Sequence, residues 1–107
     1  MKRDTIDRVT ERLVRGLDPE KIILFGSYAY GEPEENSDLD FLIVVSESDQ
    51  PQYKRARQCY GLLRGIDISK DILVLTRKEY ESQSTSPATL AGYASQNGRI
   101  LYERPAA

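Results

Sequence analysis

Two short stretches carry the most informative pattern in this chain: residues 25–31 read FGSYAYG, and residues 36–40 read NSDLD. The first stretch follows the apolar run KIILF at 21–25, which predicts a short strand covered on both faces. A strand that ends in Gly26-Ser27 and turns into a short helix exposes backbone N–H groups and a hydroxyl, which together can bind a phosphate. Taken alone, these two residues are explained more simply by a strand-to-helix turn with Ser27 as its N-cap.

Asp38 and Asp40 lie two positions apart at the start of a second apolar run, residues 39–45. In a strand, side chains at this spacing leave the same face, with Cα atoms about 7 Å apart. Two such carboxylates repel by roughly 3 kcal/mol at close approach and an effective dielectric of about 20, so a cation between them lowers the energy. Oxygen ligands of this kind suit magnesium, which keeps several waters and bridges substrate phosphates. For the pair alone, two solvated acids at an exposed strand end are the simpler alternative.

Asp71 is the candidate third carboxylate, because it opens another apolar run and so lies on a third predicted strand. Its rival is Asp67, in the loop before that strand. A residue held on a neighbouring strand can reach Asp38 and Asp40, whereas Asp67 depends on the placement of its loop. A phosphate-binding Gly-Ser turn, an Asp-x-Asp pair and a third Asp together form the arrangement used in two-metal phosphoryl transfer.

The residue types that are missing restrict the chemistry further. The chain has 107 residues, 39% of them hydrophobic, which suits one globular domain with a single core. With no His, it has no His general base, no His metal ligand and no Ser-His or Cys-His nucleophile pair. Cys59 is the only cysteine, so the chain can form neither an intramolecular disulfide nor a Cys-rich metal site. Any catalytic chemistry must therefore come from carboxylates, hydroxyls, Lys, Arg, backbone amides and a hard metal ion.

The charge balance restricts the partners. Fifteen Lys and Arg residues against 17 Asp and Glu residues give a net charge of -2, so the basic excess typical of nucleic-acid binders is missing. The longest apolar runs are far too short to span a membrane, and residues 1–4 are not followed by the apolar stretch of a signal peptide. We therefore expect a soluble, cytoplasmic protein that binds neither nucleic acid directly nor a membrane.

The hydrophobic pattern predicts an α/β (α+β) fold, a mixed sheet of about four strands with helices packed against it. A first helix is predicted at 4–17, with Asp4 as its cap. A last helix is predicted from Ser86-Pro87 to Asn97-Gly98. The other predicted elements are strands at 21–25, 39–45, 71–75 and 99–103, a helix that follows Pro51, and a short polar helix at 77–84.

The helix after Pro51 has two predicted faces. Its apolar stripe, expected to face the core, consists of Tyr53, Ala56, Tyr60 and Leu63. Cys59 on the flank of that stripe is interpreted as a small buried hydrophobe. The basic residues of the helix are interpreted as its solvated face, with binding of a partner as the alternative. They are Lys54, Arg55 and Arg57.

The joint pattern Gly26-Ser27-x3-Gly31-x5-Ser37-Asp38-x-Asp40 resembles the signature of the nucleotidyltransferase fold shared with DNA polymerase β. The short chain is similar to the minimal, MNT-type branch of that superfamily, and the resemblance covers nearly all of residues 1–107 as one domain. It implies that Asp38 and Asp40 hold two magnesium ions, and that Asp71 binds the catalytic ion and helps to deprotonate the attacking hydroxyl. The residues that it assigns to ATP binding are Gly26, Ser27, Gly31 and Ser37.

Tyr28 and Tyr30 stand where many members of this family carry Arg. The departure implies fewer cationic contacts for the triphosphate. The two rings could stack on a base, receive a nucleotide or pack against the fold, and the sequence leaves these alternatives open.

The resemblance implies ATP-dependent transfer of AMP to a hydroxyl, with release of pyrophosphate. Members of the minimal branch resemble antitoxins that pair with HEPN-domain RNases and adenylylate a tyrosine of that toxin. Since the chain has no room for a separate acceptor domain, a HEPN-type partner or a second copy is expected to supply part of the site. Two alternatives stay open: a non-catalytic module that neutralises a toxin by contact, and a nucleotide sensor in a larger assembly.

Overall fold

A four-stranded mixed sheet forms the centre of the protein, in a computed structural model that describes residues 2–26 and 38–105. In chain order the elements of these residues are α1 (Lys2–Leu17), β1 (Lys21–Phe25), β2 (Leu39–Val45), α2 (Gln52–Leu62), β3 (Lys70–Thr76), α3 (Arg77–Ser84), α4 (Leu90–Asn97) and β4 (Arg99–Glu103). The strand order is β3-β2-β1-β4, with β1 antiparallel to both neighbours and β2 parallel to β3. The predicted α/β (α+β) class with a mixed four-stranded sheet is confirmed.

Helices cover both faces of the sheet, as the continuous apolar runs predicted. On β1, Ile22 and Leu24 pack into the cluster beneath α1 and α2, whereas Ile23 and Phe25 pack into the cluster beneath α3 and α4. Each such buried side chain stabilises the fold by about 1.5–3 kcal/mol, so β1 is held from both sides. The chain therefore leaves β1 at a fixed point, and the next residue is Gly26.

The predicted boundaries of β1, β2, α3 and β4 are confirmed to the residue, and β3 is one residue longer at each end than predicted. β4 is an edge strand, again as predicted. Among residues 2–26 and 38–105, no helix combines the length and the apolarity needed to cross a membrane.

Two helix starts were predicted wrongly. α1 begins at Lys2, which puts Asp4 in its first turn instead of at its cap. α4 begins at Leu90, because the Thr89 hydroxyl accepts a hydrogen bond from the Gly92 N–H at 2.9 Å and caps the helix there. Ser86, the predicted cap, belongs to the preceding turn, where its carbonyl accepts a bond from the Thr89 N–H at 3.2 Å.

The predicted apolar stripe of α2 is confirmed for Ala56 and Leu63 and is wrong for Tyr53 and Tyr60. Tyr53 and Tyr60 are 60% and 42% exposed, and the residues that face the core are the small Ala56 and Cys59, with Leu63 just beyond the helix. A close approach of α1 and α2 favours small residues there: a Cβ added at Gly16 would lie 2.6 Å from Leu62. Burial raises the pKa of the Cys59 thiol to about 12, so its assignment as a small buried hydrophobe is confirmed.

Arg55 does not lie on a solvated face, in contrast to the prediction. Its guanidinium donates to the carbonyl of Val74 at 3.1 Å and pairs with Glu79 at 2.7 Å. The Gln52 side chain accepts from the N–H of Val74 at 2.9 Å. Both backbone groups of Val74 point away from β2, so these side chains cover part of the free edge of β3. Lys54 and Arg57 are exposed, as predicted.

We expect Arg55→Met to lower the free energy of unfolding by about 2 kcal/mol at pH 7, because it removes charge-assisted hydrogen bonds from a side chain that is only 11% exposed. The bond from Arg55 is the main reason that the pKa of Glu79 lies below its ordinary value of 4.5. Ionised Glu79 therefore makes its full contribution to the free energy of unfolding above pH 4.5. This contribution disappears as the pH falls through the lowered pKa.

Urea unfolding at pH 7 and at pH 3 checks this expectation, and Arg57→Met, an exposed neighbour on the same helix, is the matched control. At pH 7 the Arg55 variant should lose much more free energy of unfolding than the Arg57 control. At pH 3 the difference in free energy of unfolding between the two variants should be smaller. Equal losses in the two variants at pH 7 would contradict the role of Arg55 at the sheet edge.

Candidate active site

The structure brings two of the predicted acids together at one end of the sheet. In the parallel register of β2 and β3, Asp40 lies opposite Asp71. Both side chains leave the face that carries Leu42 and Leu73, which is the face covered by α3 and α4. Asp67, the rival third acid, is exposed in the segment between α2 and β3 and pairs with no strand. Asp71 is therefore the one set beside Asp40.

The environment of Asp40 disfavours its charged form. The residue is half-buried, and loss of solvent raises the pKa of its carboxyl above the ordinary value of 3.8. The negative charges of Asp71 and then of Asp38 raise this pKa further, and a hydrogen bond with Asp71 favours the protonated form. An ionised carboxylate next to two others is costly, and a cation at this point removes the cost.

Gly26 packs directly against Asp40. It has a φ of +83°, in the left-handed region that favours glycine. Its neighbour Phe25 is the register partner of Asp40 across β1 and β2. A Cβ added at Gly26 would collide with the Oδ2 atom of the Asp40 carboxylate. The sequence predicted Gly26 for an approach to phosphate, and the structure adds a second reason for glycine, which is room for the carboxylate.

Several predicted site residues lie outside the described residues. The structure does not describe residues 27–37. Asp38, the next residue, is exposed and immediately precedes β2. The predicted ATP contacts from Ser27, Gly31 and Ser37 fall in that undescribed range, as do Tyr28 and Tyr30. Their roles stay predictions.

Comparison with known protein families decides what kind of domain this is. A family model described as a nucleotidyltransferase domain matches residues 6–97, which is most of the chain. The chain belongs to the nucleotidyltransferase domain family. The matched range contains all three acids, α1 from residue 6 onward, and every other described helix and strand except β4.

Individual relatives of this nucleotidyltransferase domain agree with that assignment. A candidate protein adenylyltransferase of Methanocaldococcus jannaschii is 38% identical over 55 residues, which are 51% of this chain and 54% of the relative. The chain thus spans about half the length of this curated relative. A crystal structure of a candidate nucleotidyltransferase from Sulfolobus solfataricus has a TM-score of 0.67 at 19% identity, over 94% of this chain and 79% of the other. A toxin–antitoxin structure, MntA–HpeT, has a TM-score of 0.62 at 17% identity, over 92% and 72%.

The carboxylates of this nucleotidyltransferase domain suit magnesium in their chemistry. Magnesium is bound in proteins by one or two carboxylates together with substrate phosphates and water, and the pair Asp40 and Asp71 offers that donor set. In the part of the chain that the structure describes, no three acidic, His or Cys side chains form one group that could hold a metal ion. Asp38 is close enough to raise the pKa of Asp40 but stands apart from the pair, so it must turn toward them to share a metal.

Proposed function

We propose that this nucleotidyltransferase domain transfers AMP from magnesium-bound ATP to a hydroxyl, and that the acceptor is a tyrosine of a toxin partner. The observation that carries the proposal is the pair Asp40 and Asp71, register partners on parallel strands, with Gly26 packed against the first of them. Strands that fix two carboxylates to within a fraction of an ångström suit catalysis by positioning and charge, which is how phosphoryl transfer proceeds.

Each acid has its own part in the proposed reaction. Asp38 and Asp40 would hold the two magnesium ions, and Asp71 would contribute a ligand to the catalytic ion and take the proton of the attacking hydroxyl. The hydroxyl oxygen forms a bond to the α-phosphorus, while the bond from that phosphorus to the bridging oxygen breaks and pyrophosphate leaves. Magnesium, when bound, neutralises charge that develops on the phosphoryl oxygens. Gly26 keeps the Asp40 carboxylate at its place and, with Ser27, contacts the triphosphate.

The relatives support a protein as the acceptor. The Methanocaldococcus jannaschii relative is named as a candidate protein adenylyltransferase, and MntA–HpeT is a toxin–antitoxin pair. The structure of that pair carries two Asp-to-Glu substitutions two positions apart, the same spacing as Asp38 and Asp40. We therefore infer that the domain acts as an antitoxin on a HEPN-type toxin, with a second copy of the chain as the alternative partner. We expect the reaction in the cytoplasm, where ATP and magnesium are available.

A labelling experiment tests the proposed activity. The purified chain is incubated with magnesium and a lysate of its source cells, once with ATP labelled at the α-phosphorus and once with ATP labelled at the γ-phosphorus. Label from the α position should appear on a protein, and mass spectrometry should find AMP on a tyrosine. Label from the γ position should not appear above the level of a lysate without the chain. If the chain transfers neither label to a protein, the proposed transfer of AMP is wrong.

Gly26→Ala should lower this transfer by about 100-fold, because displacing a catalytic group by about 1 Å costs that much. The added methyl group must push the Asp40 carboxylate away from Asp71. Gly65→Ala is the matched control: Gly65 has a φ of +93°, but a Cβ there meets nothing within 4 Å. Both variants should lose about 1 kcal/mol of stability through backbone strain, as measured by urea unfolding. Equal transfer by the two variants would contradict the role given to Gly26.

A further inference from the structure

One side of α2 and the turn after it presents alternating aromatic and basic side chains to solvent. Tyr53, Arg57 and Tyr60 lie at positions i, i+4 and i+7 of α2 and so share one face of the helix, and Arg64 lies in the turn that follows it. We call these four residues the α2 stripe. All four are exposed, and the two tyrosines are too large and too exposed to be explained by the core.

The α2 stripe is strongly basic in an acidic chain. Residues 52–64 contain four basic residues and no acid, whereas the chain as a whole has a net charge of -2. Among the residues that the structure describes, Arg55 is the one of these four that pairs with an acid, Glu79. None of the ion pairs among the described residues involves Lys54, Arg57 or Arg64. The Arg57 guanidinium lies 5.9 Å from the centre of the Tyr53 ring, so these two side chains form one compact surface.

The α2 stripe borders the strand that carries the candidate site. The Tyr60 hydroxyl donates a hydrogen bond of 3.4 Å to the carbonyl of Lys70, the residue before Asp71. Lys70 opens β3, an edge strand of the sheet. A protein that lies along the α2 stripe therefore reaches the edge of β3 at the end where Asp71 and Asp40 meet.

We propose that the α2 stripe is the docking surface for the acceptor protein, and that the matching surface of that protein is acidic. This inference rests on the proposed transfer only in naming the partner as the acceptor. Tyr and Arg are the residues most enriched where binding energy is concentrated in protein interfaces. Cations that form no ion pair with the described residues, on a chain of net charge -2, steer an acidic surface to this side of the helix and away from the others.

A nucleic acid fits these observations less well than an acidic protein. Nucleic-acid binding draws most of its affinity from many phosphate contacts. The stripe together with Lys54 offers three cations that form no ion pair among the described residues, on a chain of net charge -2. Interleaved aromatic and basic residues also occur where single strands stack, so RNA is the alternative that the experiment must separate.

Binding is measured by fluorescence anisotropy, without nucleotide or magnesium, on three labelled probes. These are a synthetic Glu-rich helical peptide with one Tyr, the same peptide with every Glu replaced by Lys, and a single-stranded RNA of similar length. The chain should bind the Glu-rich peptide, and the charge-reversal variant Arg57→Glu/Arg64→Glu should bind it about tenfold or more weakly. Arg3→Glu/Arg8→Glu on α1, exposed and equal in charge change, should bind it with no more than about twofold loss.

A second variant keeps the test independent of charge alone. Tyr53→Ala should also weaken binding of the Glu-rich peptide by about fivefold. The inference is overturned if the chain binds no acidic peptide, if both charge reversals weaken binding equally, or if the RNA binds more tightly than the peptide. Asp71→Asn should still bind the peptide fully. If the wild-type chain binds the Glu-rich peptide but transfers no AMP to any protein, only the proposed transfer is refuted. If Arg57→Glu/Arg64→Glu labels its acceptor as fully as the wild type does, only the docking surface is refuted.

Discussion

Asp71→Ala should reduce transfer of AMP by about 1,000-fold or more, whereas Asp67→Ala should retain most of it. Loss of a group that accepts the proton of the attacking hydroxyl costs about 100- to 10,000-fold, and loss of a ligand to the catalytic magnesium adds to this. Asp71 is held opposite Asp40 by the pairing of β3 with β2. Asp67 is exposed in the segment before β3, and no strand fixes its distance from Asp40.

The α-phosphorus labelling experiment measures both variants, and calorimetry with ATP and magnesium measures what nucleotide binding remains. The Asp71 variant should keep part of its ATP binding, because Asp38 and Asp40 are still present to hold the nucleotide-bound ion. An inactive Asp67 variant beside an active Asp71 variant would show that the wrong acid has been assigned. Normal transfer by both variants would show that neither acid acts as the third carboxylate of the proposed site.

Asp40→Asn should reduce transfer of AMP about as strongly as Asp71→Ala does. In chelator, the Asp40→Asn variant should be at least as stable as the wild type. The carboxyl of Asp40 has a raised pKa, which means that folding disfavours its charged form and that ionised Asp40 lowers stability at pH 7. A neutral amide of the same shape removes that cost, and its N–H groups can donate to Asp71. Asp38→Asn should likewise stop transfer without loss of stability, since Asp38 adds to the same repulsion.

Thermal melting in chelator at pH 7 decides this second expectation, with Asp49→Asn in the exposed segment after β2 as the control. The control should match the wild type in both transfer and melting temperature. A marked drop in melting temperature for the Asp40 and Asp38 variants would mean that these acids stabilise the fold and are not gathered there for catalysis.

The sheet was predictable because its strands depend on short-range signals. The apolar runs at 22–25 and 41–45 contain β-branched residues and lie within the predicted strands 21–25 and 39–45, and both correspond to strands buried on two faces. The choice of Asp71 over Asp67 came from the same logic, since a residue joined to a buried run shares the fixed position of that run. Asp71 could be chosen as the neighbour of Asp40 without knowing the structure of the loops.

The buried faces of the helices were less predictable, because the spacing of apolar residues does not reveal which element packs against each face. Tyr53 and Tyr60 share a helical period with Ala56, and local pattern alone put all of them in the core. The close approach of α1 at Gly16 made small residues the buried ones and left the tyrosines at the surface. Arg55 was misassigned for a related reason, as its partners Val74 and Glu79 are far from it in sequence.

The residue types of the site and the elements that carry them follow from the amino-acid order alone: a glycine after β1, an acid within β2 and an acid at the start of β3. That Gly26 makes room for the Asp40 carboxylate, and that Asp40 shares its environment with Asp71, became visible in the folded chain. The difference arises because strand identity follows from local hydrophobic pattern, whereas the distance between two side chains depends on the register of strands far apart in sequence. Register is fixed by burying both faces of the sheet at once, which is a property of the whole core.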